Sequence, residues 1–172
     1  YFGGGTPSQL PPDELERILV SIYNIYNVSE NAEVTLEGNP DDMTPALLYR
    51  LLQMGINRLS MGIQTFDEAR LHFLHRRHTA TQAIQAVHDA QDAGFSNISI
   101  DLMFGFPKQT LDEWKSDVQT ALSLQVQHLS AYSLMYEEET VLERMLTEGC
   151  ISEVDEEVSL QMYEHLMDAL KG

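Results

Sequence analysis

Three polar side chains lie in short segments in which apolar and polar residues alternate: Glu37, Gln64 and Asp101. A period of two is typical of a β-strand, so these side chains point away from the apolar face of each strand. A carboxylate in that position could bind an ammonium group or a ribose hydroxyl, and an amide both donates and accepts hydrogen bonds. Each side chain alone could equally be structural. For Glu37 the structural alternative is an ion pair with Arg58.

A glycine-rich segment, Gly3-Gly4-Gly5-Thr6-Pro7, follows Tyr1-Phe2, which we interpret as the end of a strand. Glycines at that point let the backbone approach a ligand and present its N–H groups. The segment therefore suggests a binding loop, although a tight turn without a ligand would also require glycine.

A histidine-rich stretch contains His72, His75 and His78, with Arg76 and Arg77 between them. On a helix this spacing spreads the rings around the circumference, whereas helical metal-binding pairs are typically four residues apart. We therefore predict no metal site here. The two arginines could bind a carboxylate, and the alternative is a solvated basic turn.

Strands and helices must position these residues, and they alternate at roughly 30-residue intervals, as in βα units that build a parallel sheet. The predicted strands are Glu33–Glu37, Arg58–Ile63, Asn97–Met103 and His128–Leu134. The predicted helices begin near Pro12 and Thr44 and cover Thr81–Ala93, Leu111–Leu124, Thr140–Glu148 and Val154–Leu170. We expect an α/β fold and a single domain over residues 1–172.

The polar face of the strands indicates how the sheet is used. An ordinary (β/α)8 barrel fills its interior with Val, Ile and Leu, and places its working groups at the carboxyl ends of the strands. Polar side chains along one face predict a wider, open barrel that holds a polar ligand. The alternative is a flat sheet with one wetted face.

Composition limits the partners. The formal net charge of −17 disfavours nucleic acid and anionic membrane surfaces. No apolar run reaches the ~20 residues of a membrane-spanning helix, and the first residues do not resemble a secretory signal. We expect no membrane insertion and a cytoplasmic location. The one cysteine, Cys150, cannot form a disulfide within the chain.

Several motifs together resemble the radical S-adenosylmethionine (SAM) family of oxygen-independent coproporphyrinogen III oxidases and their HemW-like haem-chaperone relatives. The resemblance covers nearly the whole chain, and its later motifs, RLSMGIQ and DLMFGFPKQT, are highly specific. The matching segments are Tyr1–Ser8, Glu37–Pro40, Asn57–Phe66, His75–Thr79, Gly94–Thr110 and His128–Thr140.

The resemblance implies a partial (β/α)6 TIM-like barrel that holds SAM and a [4Fe–4S] cluster. By position, the glycine loop would bind the methionine end of SAM, and Met135 would lie near the adenosyl group. The cofactor-binding residues that it implies are Gly4, Gly5, Thr6, Glu37, Gln64, Arg76, Asp101 and Met135.

The family's chemistry implies reductive cleavage of SAM to a 5′-deoxyadenosyl radical, with an electron donor for the cluster and a porphyrin or haem as partner. The segment from Tyr132 to Thr140 resembles the haem-chaperone branch, which we favour over a coproporphyrinogen III dehydrogenase. The segment His75–Thr79 also resembles that branch, although His75 replaces the glycine expected there. A further alternative is a barrel lyase or hydrolase that uses Glu37 and Asp101 as an acid/base pair without SAM.

The family's three clustered cysteines are absent from this sequence, and Cys150 matches none of them. We therefore expect a fragment whose first strand with the cluster motif, and whose C-terminal domain, lie outside it. The fragment alone should perform no radical chemistry and should bind SAM weakly at best.

Overall fold

Four parallel strands form the centre of the fold in a computed structural model, which describes residues 1–171. The strands are β1 (Thr35–Gly38), β2 (Arg58–Gln64), β3 (Ile98–Phe104) and β4 (His128–Ser133). They pair in the order β1-β2-β3-β4, and Phe2 makes one parallel bridge to Leu36. The predicted α/β fold with a parallel sheet is confirmed.

Helices connect successive strands and cover one face of the sheet. They are α1 (Pro12–Ile25), α2 (Pro45–Gln53), α3 (Glu68–Phe73), α4 (Ala80–Ala93), α5 (Leu111–Ser123), α6 (Val141–Thr147) and α7 (Glu156–Ala169). The sequence did not predict α3, a short helix capped by the side chain of Asp67.

Threonine caps fix where several helices begin. Thr110 and Glu113 form a capping box at α5, as predicted. The side chain of each residue accepts a hydrogen bond from the backbone N–H of the other. A second capping box, formed by Thr79 and Gln82, precedes α4, which begins at Ala80, one residue before the predicted start at Thr81. α7 begins at Glu156 rather than Val154 because the Asp155 side chain caps it.

The core lies between the apolar face of the sheet and the helices. Met61, Ile63, Ile100 and Leu102 are fully buried on that face. Trp114 of α5 is also fully buried, with its ring centroid 5.1 Å from that of Phe104 and its indole N–H donating to the Met162 carbonyl at 2.9 Å. These contacts tie α5 both to β3 and to α7.

The opposite face of the sheet is polar, as the alternation predicted. Because paired residues of parallel strands share a face, the register places Glu37 beside Ser60, and Gly62 beside Asp101. Ser130 of β4 pairs with Asp101 on the other side. The polar groups of four strands therefore form one continuous surface. Within residues 1–171, no helix is both long and apolar enough to cross a bilayer.

Candidate functional site

A cavity of about 210 Å³ opens on the polar face of the sheet. Its walls come from the glycine loop, from β1, β2 and β3, and from the segment before α4. The lining residues are Gly5, Thr6, Glu37, Gly38, Asn39, Ser60, Gly62, Gln64, Arg76 and Asp101. Side chains that are far apart in the sequence therefore meet in one place.

The glycine loop closes onto Glu37. This carboxylate accepts hydrogen bonds from the Tyr1 hydroxyl at 2.7 Å and from the Gly4 N–H at 3.3 Å. Gly4 and Gly5 have φ of 80° and 88°, values that favour glycine, and the space above both is open. Arg58 lies 3.9 Å from Glu33 instead, so Glu37 does not form the ion pair considered as its structural alternative.

Arg76 brings a positive charge to the cavity. Its guanidinium donates to Asn39 Oδ1 at 2.7 Å and to the Gly62 carbonyl at 2.6 Å. Within residues 1–171 no carboxylate oxygen lies within 4.0 Å of it. Arg77 differs, because it pairs with Asp41 at 2.9 Å and Asp42 at 3.0 Å. Of the two arginines, Arg76 has a charge available for an anionic ligand group.

Gln64 adopts an unusual backbone conformation at the end of β2. Its φ is 74°, in the left-handed region that few residues other than glycine occupy. A Cβ on Gly62 would lie 2.8 Å from Gln64 Nε2 and 3.3 Å from Arg76 Nη2. Glycine at position 62 thus leaves the space that these two polar side chains occupy.

Asp101 is a half-buried acid in the cavity wall. Burial raises the pKa of the Asp101 carboxyl, and the Glu37 carboxylate adds to the rise. A hydrogen bond with Ser130 and the charges of His128 and Arg58 oppose it. Because the folded protein disfavours this negative charge, a carboxylate here suits a ligand that brings a cation or a hydroxyl donor.

The raised pKa predicts a pH-dependent cost in stability. The folded state holds the Asp101 proton more tightly than the unfolded state, in which the pKa has its ordinary value of 3.8. The contribution of Asp101 to the free energy of unfolding should therefore fall as pH rises from that value through the folded-state pKa, and then stay level. Asp101→Asn should remove this fall, so the variant should equal or exceed the wild type at pH 7. Urea denaturation of both proteins at several pH values measures the difference.

The matched control is Asp92→Asn, which neutralises an exposed carboxylate on α4. It reports the effect of one less negative charge on this acidic chain. If Asp101→Asn followed the same pH profile as this control, the cavity would impose no cost on the Asp101 charge.

Seven of the eight residues implied by the resemblance meet at the cavity. Gly5, Thr6, Glu37, Gln64, Arg76 and Asp101 line it, and Gly4 donates to Glu37. Met135 lies beyond the end of β4, is 68% exposed and does not line this cavity. Its predicted place near an adenosyl group stays a prediction.

Sequence reasoning assigned no role to Asn39 and Tyr1, which orient Arg76 and Glu37 respectively. The signal for Asn39 was its position in the Glu37–Pro40 motif, directly after a strand. Nothing in the local sequence links Tyr1 to a residue 36 positions away.

The cavity fits the amino-acid end of SAM by its chemistry. SAM carries a carboxylate, an ammonium group and a sulfonium, and the cavity combines one available cation, Arg76, with two acids, Glu37 and Asp101. Backbone beside Gly4 and Gly5 is open to a ligand. The residues present are therefore suited to hold this cofactor.

The residues present do not fit an iron–sulfur cluster. The chain has one cysteine, Cys150, which is exposed after α6. No group of three or more His, Cys, Asp and Glu side chains within residues 1–171 is arranged to hold a metal ion. The histidine-rich stretch is divided between α3, which contains His72, and a loop that contains His75 and the buried His78.

Several curated proteins are similar to this chain over nearly its whole length. Heme chaperone HemW from Lactococcus lactis is 39% identical over 170 residues, which are 99% of this chain and 45% of that protein. HemW from Bacillus subtilis is 37% identical over 173 residues, 100% of this chain and 46% of that protein. A mitochondrial radical S-adenosyl methionine domain-containing protein 1 from Bos taurus is 34% identical, over 95% of this chain and 37% of that protein. The chain spans about half the length of the curated relatives it matches, or less.

Solved structures share the fold. Coproporphyrinogen III oxidase (HemN) from Escherichia coli has a TM-score of 0.87 at 24% identity, covering 98% of this chain and 39% of that chain. Elp3 from Methanocaldococcus infernus has a TM-score of 0.79 at 20% identity, covering 95% of this chain and 43% of that one. At these identities the likeness concerns the fold, and it confirms the predicted TIM-like barrel architecture of parallel strands with outer helices. Residues 1–121 match the family model described as the Radical SAM superfamily, and the chain belongs to that superfamily.

Proposed function

We propose that this chain is the SAM-binding part of a radical SAM protein that binds and transfers haem. The observation that carries the proposal is the polar cavity, which is lined by one arginine without a carboxylate partner and by two acids, Glu37 and Asp101. It occurs in a chain that belongs to the superfamily and is 33–39% identical to several heme chaperones HemW.

Each cavity residue has a role in the proposal. Arg76 binds the SAM carboxylate through its guanidinium, which reaches the cavity between Asn39 and Gly62. Glu37 accepts hydrogen bonds from the SAM ammonium group beside the Gly4 N–H. Gln64 and Asp101 contact the remaining polar groups, and the Gly5-Thr6 backbone borders the methionine end.

In the family, SAM bound at a cluster supplies a 5′-deoxyadenosyl radical. The residues of this chain bind and orient SAM and limit its exposure to water. The [4Fe–4S] cluster, its electron donor and the haem or porphyrin partner belong to the proposal for the whole protein. The proposal also includes a cytoplasmic location and a single barrel domain over residues 1–172. It places Met135 beside the adenosyl group.

The haem-transfer branch is preferred to the oxidase because the curated relatives at 33–39% identity carry the name heme chaperone. The oxidase HemN resembles this chain at 24% identity, which supports only a common fold. In the proposal, either branch would use the same SAM cavity, and the two differ in what happens to the porphyrin.

Haem titration and coproporphyrinogen turnover distinguish the branches. The full-length gene product, reconstituted without oxygen, should give saturable haem spectra and release no carbon dioxide from coproporphyrinogen III. The Arg76→Met variant serves as a control, since it should weaken SAM binding and leave haem binding unchanged. Release of carbon dioxide that depends on SAM would instead identify a coproporphyrinogen III dehydrogenase. Absence of iron, sulfide and SAM binding together would refute the radical SAM proposal.

A further inference from the structure

A β-bulge interrupts β2 beside the cavity. Gly62 pairs with Asp101 of β3 and Gln64 pairs with Leu102, so Ile63 is an extra residue between two consecutive partners. Directly after it, Gln64 has its left-handed φ of 74°. Such a conformation persists in a residue other than glycine only when its surroundings hold it. The position of the Gln64 amide in the cavity therefore depends on how the bulge is held.

His78 contacts this bulge from outside the cavity. Its ring is 97% buried, with 3% relative exposure, and its Nε2 lies 3.1 Å from the Ile63 carbonyl oxygen. Because a carbonyl only accepts hydrogen bonds, Nε2 carries the proton. Burial lowers the pKa of His78, which favours the neutral ring with a bare Nδ1. Within residues 1–171 Nδ1 has no hydrogen-bond partner, so the Ile63 carbonyl is the ring's one polar contact.

The backbone on both sides of Gln64 is held in a similar way. Arg76 donates to the Gly62 carbonyl at 2.6 Å. On the other side, the buried Asp117 of α5 accepts from the Thr65 hydroxyl at 2.7 Å and from the Phe66 N–H at 3.0 Å. The hydrogen bond from His78 is made to Ile63, the residue directly before Gln64.

We propose that His78 is a positioning residue for the SAM site: its ring N–H holds the Ile63 carbonyl and so keeps Gln64 in the left-handed conformation that places its amide in the cavity. The inference rests on the proposed function, because it assigns His78 a role in SAM binding. It also gives a role to His78 as the third histidine of the histidine-rich stretch, since this residue neither belongs to a metal site nor lines the cavity.

Two substitutions at position 78 separate the hydrogen bond from the volume of the ring. His78→Leu fills the site without a donor, whereas His78→Gln retains an amide N–H at a reach similar to that of Nε2. Titration of the isotope-labelled chain with SAM, followed by NMR, should show about tenfold weaker binding for His78→Leu. His78→Gln should bind within about threefold of the wild type.

A ligand-free measurement tests the same claim without SAM. The Gln64 Cα and Cβ chemical shifts report its backbone conformation, and they should lose their left-handed character in His78→Leu and keep it in His78→Gln. Trp114→Phe is the matched control, because it also removes one buried hydrogen bond to a carbonyl, that of Met162, away from the cavity. It should lower the melting temperature and leave the Gln64 shifts and SAM affinity unchanged.

The outcomes separate the two proposals. Left-handed Gln64 shifts in His78→Leu would overturn the role of His78. Equal SAM affinity in the wild type, His78→Leu and His78→Gln would also overturn it. A decrease in SAM affinity for Trp114→Phe as large as that for His78→Leu would also overturn it, since stability alone would then explain the loss. A wild-type chain that shows left-handed Gln64 shifts and binds no SAM would refute the proposed function, and the shifts of the variants would still decide what holds Gln64.

Discussion

Replacing Arg76 with methionine should weaken SAM binding by about ten- to hundredfold, the range expected for the loss of hydrogen bonds to a charged group. Methionine keeps much of the side-chain length and removes the positive charge. Arg76 lines the cavity, and within residues 1–171 its positive charge has no carboxylate partner, so this charge is available to the SAM carboxylate. NMR titration of the labelled chain measures the change even where wild-type affinity is weak.

Arg77→Met provides the matched control. It removes the same charge one residue further along, from a side chain that pairs with Asp41 and Asp42 and does not line the cavity. Because an exposed ion pair contributes about 0–1 kcal/mol, its effect on SAM affinity should stay below about fivefold. Equal losses for the two variants would mean that the net charge, rather than the Arg76 contact, governs binding.

Trp114→Ala should lower the free energy of unfolding by about 3–5 kcal/mol, as expected for truncating a fully buried aromatic ring. The substitution leaves a void beside Phe104 and removes the hydrogen bond to the Met162 carbonyl. For a chain of this size the melting temperature should fall by about 6–20 °C. Circular dichroism is the suitable measurement, because Trp114 is the only tryptophan and its fluorescence is lost with it.

Trp114→Phe should fall between the wild type and the alanine variant, since it keeps most of the ring and loses the indole N–H. A loss below about 1 kcal/mol for Trp114→Ala would show that α5 is not packed on β3 as described.

The fold followed from the sequence where periodicity and capping agreed. α5 was predicted from Thr110 and Glu113, and the structure places the helix there with both capping contacts made. The bounds of β1 were less accurate, with Glu33–Glu37 predicted and Thr35–Gly38 observed. Alternation identifies which residues share a face, but the pairing with β2 decides where the ladder begins.

The candidate site was only partly predictable. Period-two alternation correctly placed Glu37 and Asp101 on the polar face. It could not distinguish Arg76 from Arg77, because that difference depends on the acids of a distant turn at Asp41. The bulge at Ile63 was also beyond local reasoning, since it arises from the register between two strands.

The measurement that tests the central claim most directly is a SAM titration of the labelled wild-type chain, followed residue by residue. If the cavity binds SAM, saturable shift changes should concentrate at the glycine loop, Glu37, Gln64, Arg76 and Asp101. Affinity should be weak, because the chain's residues do not supply a cluster. Shift changes spread over the surface, or none at millimolar SAM, would contradict the assignment of this cavity as a SAM site.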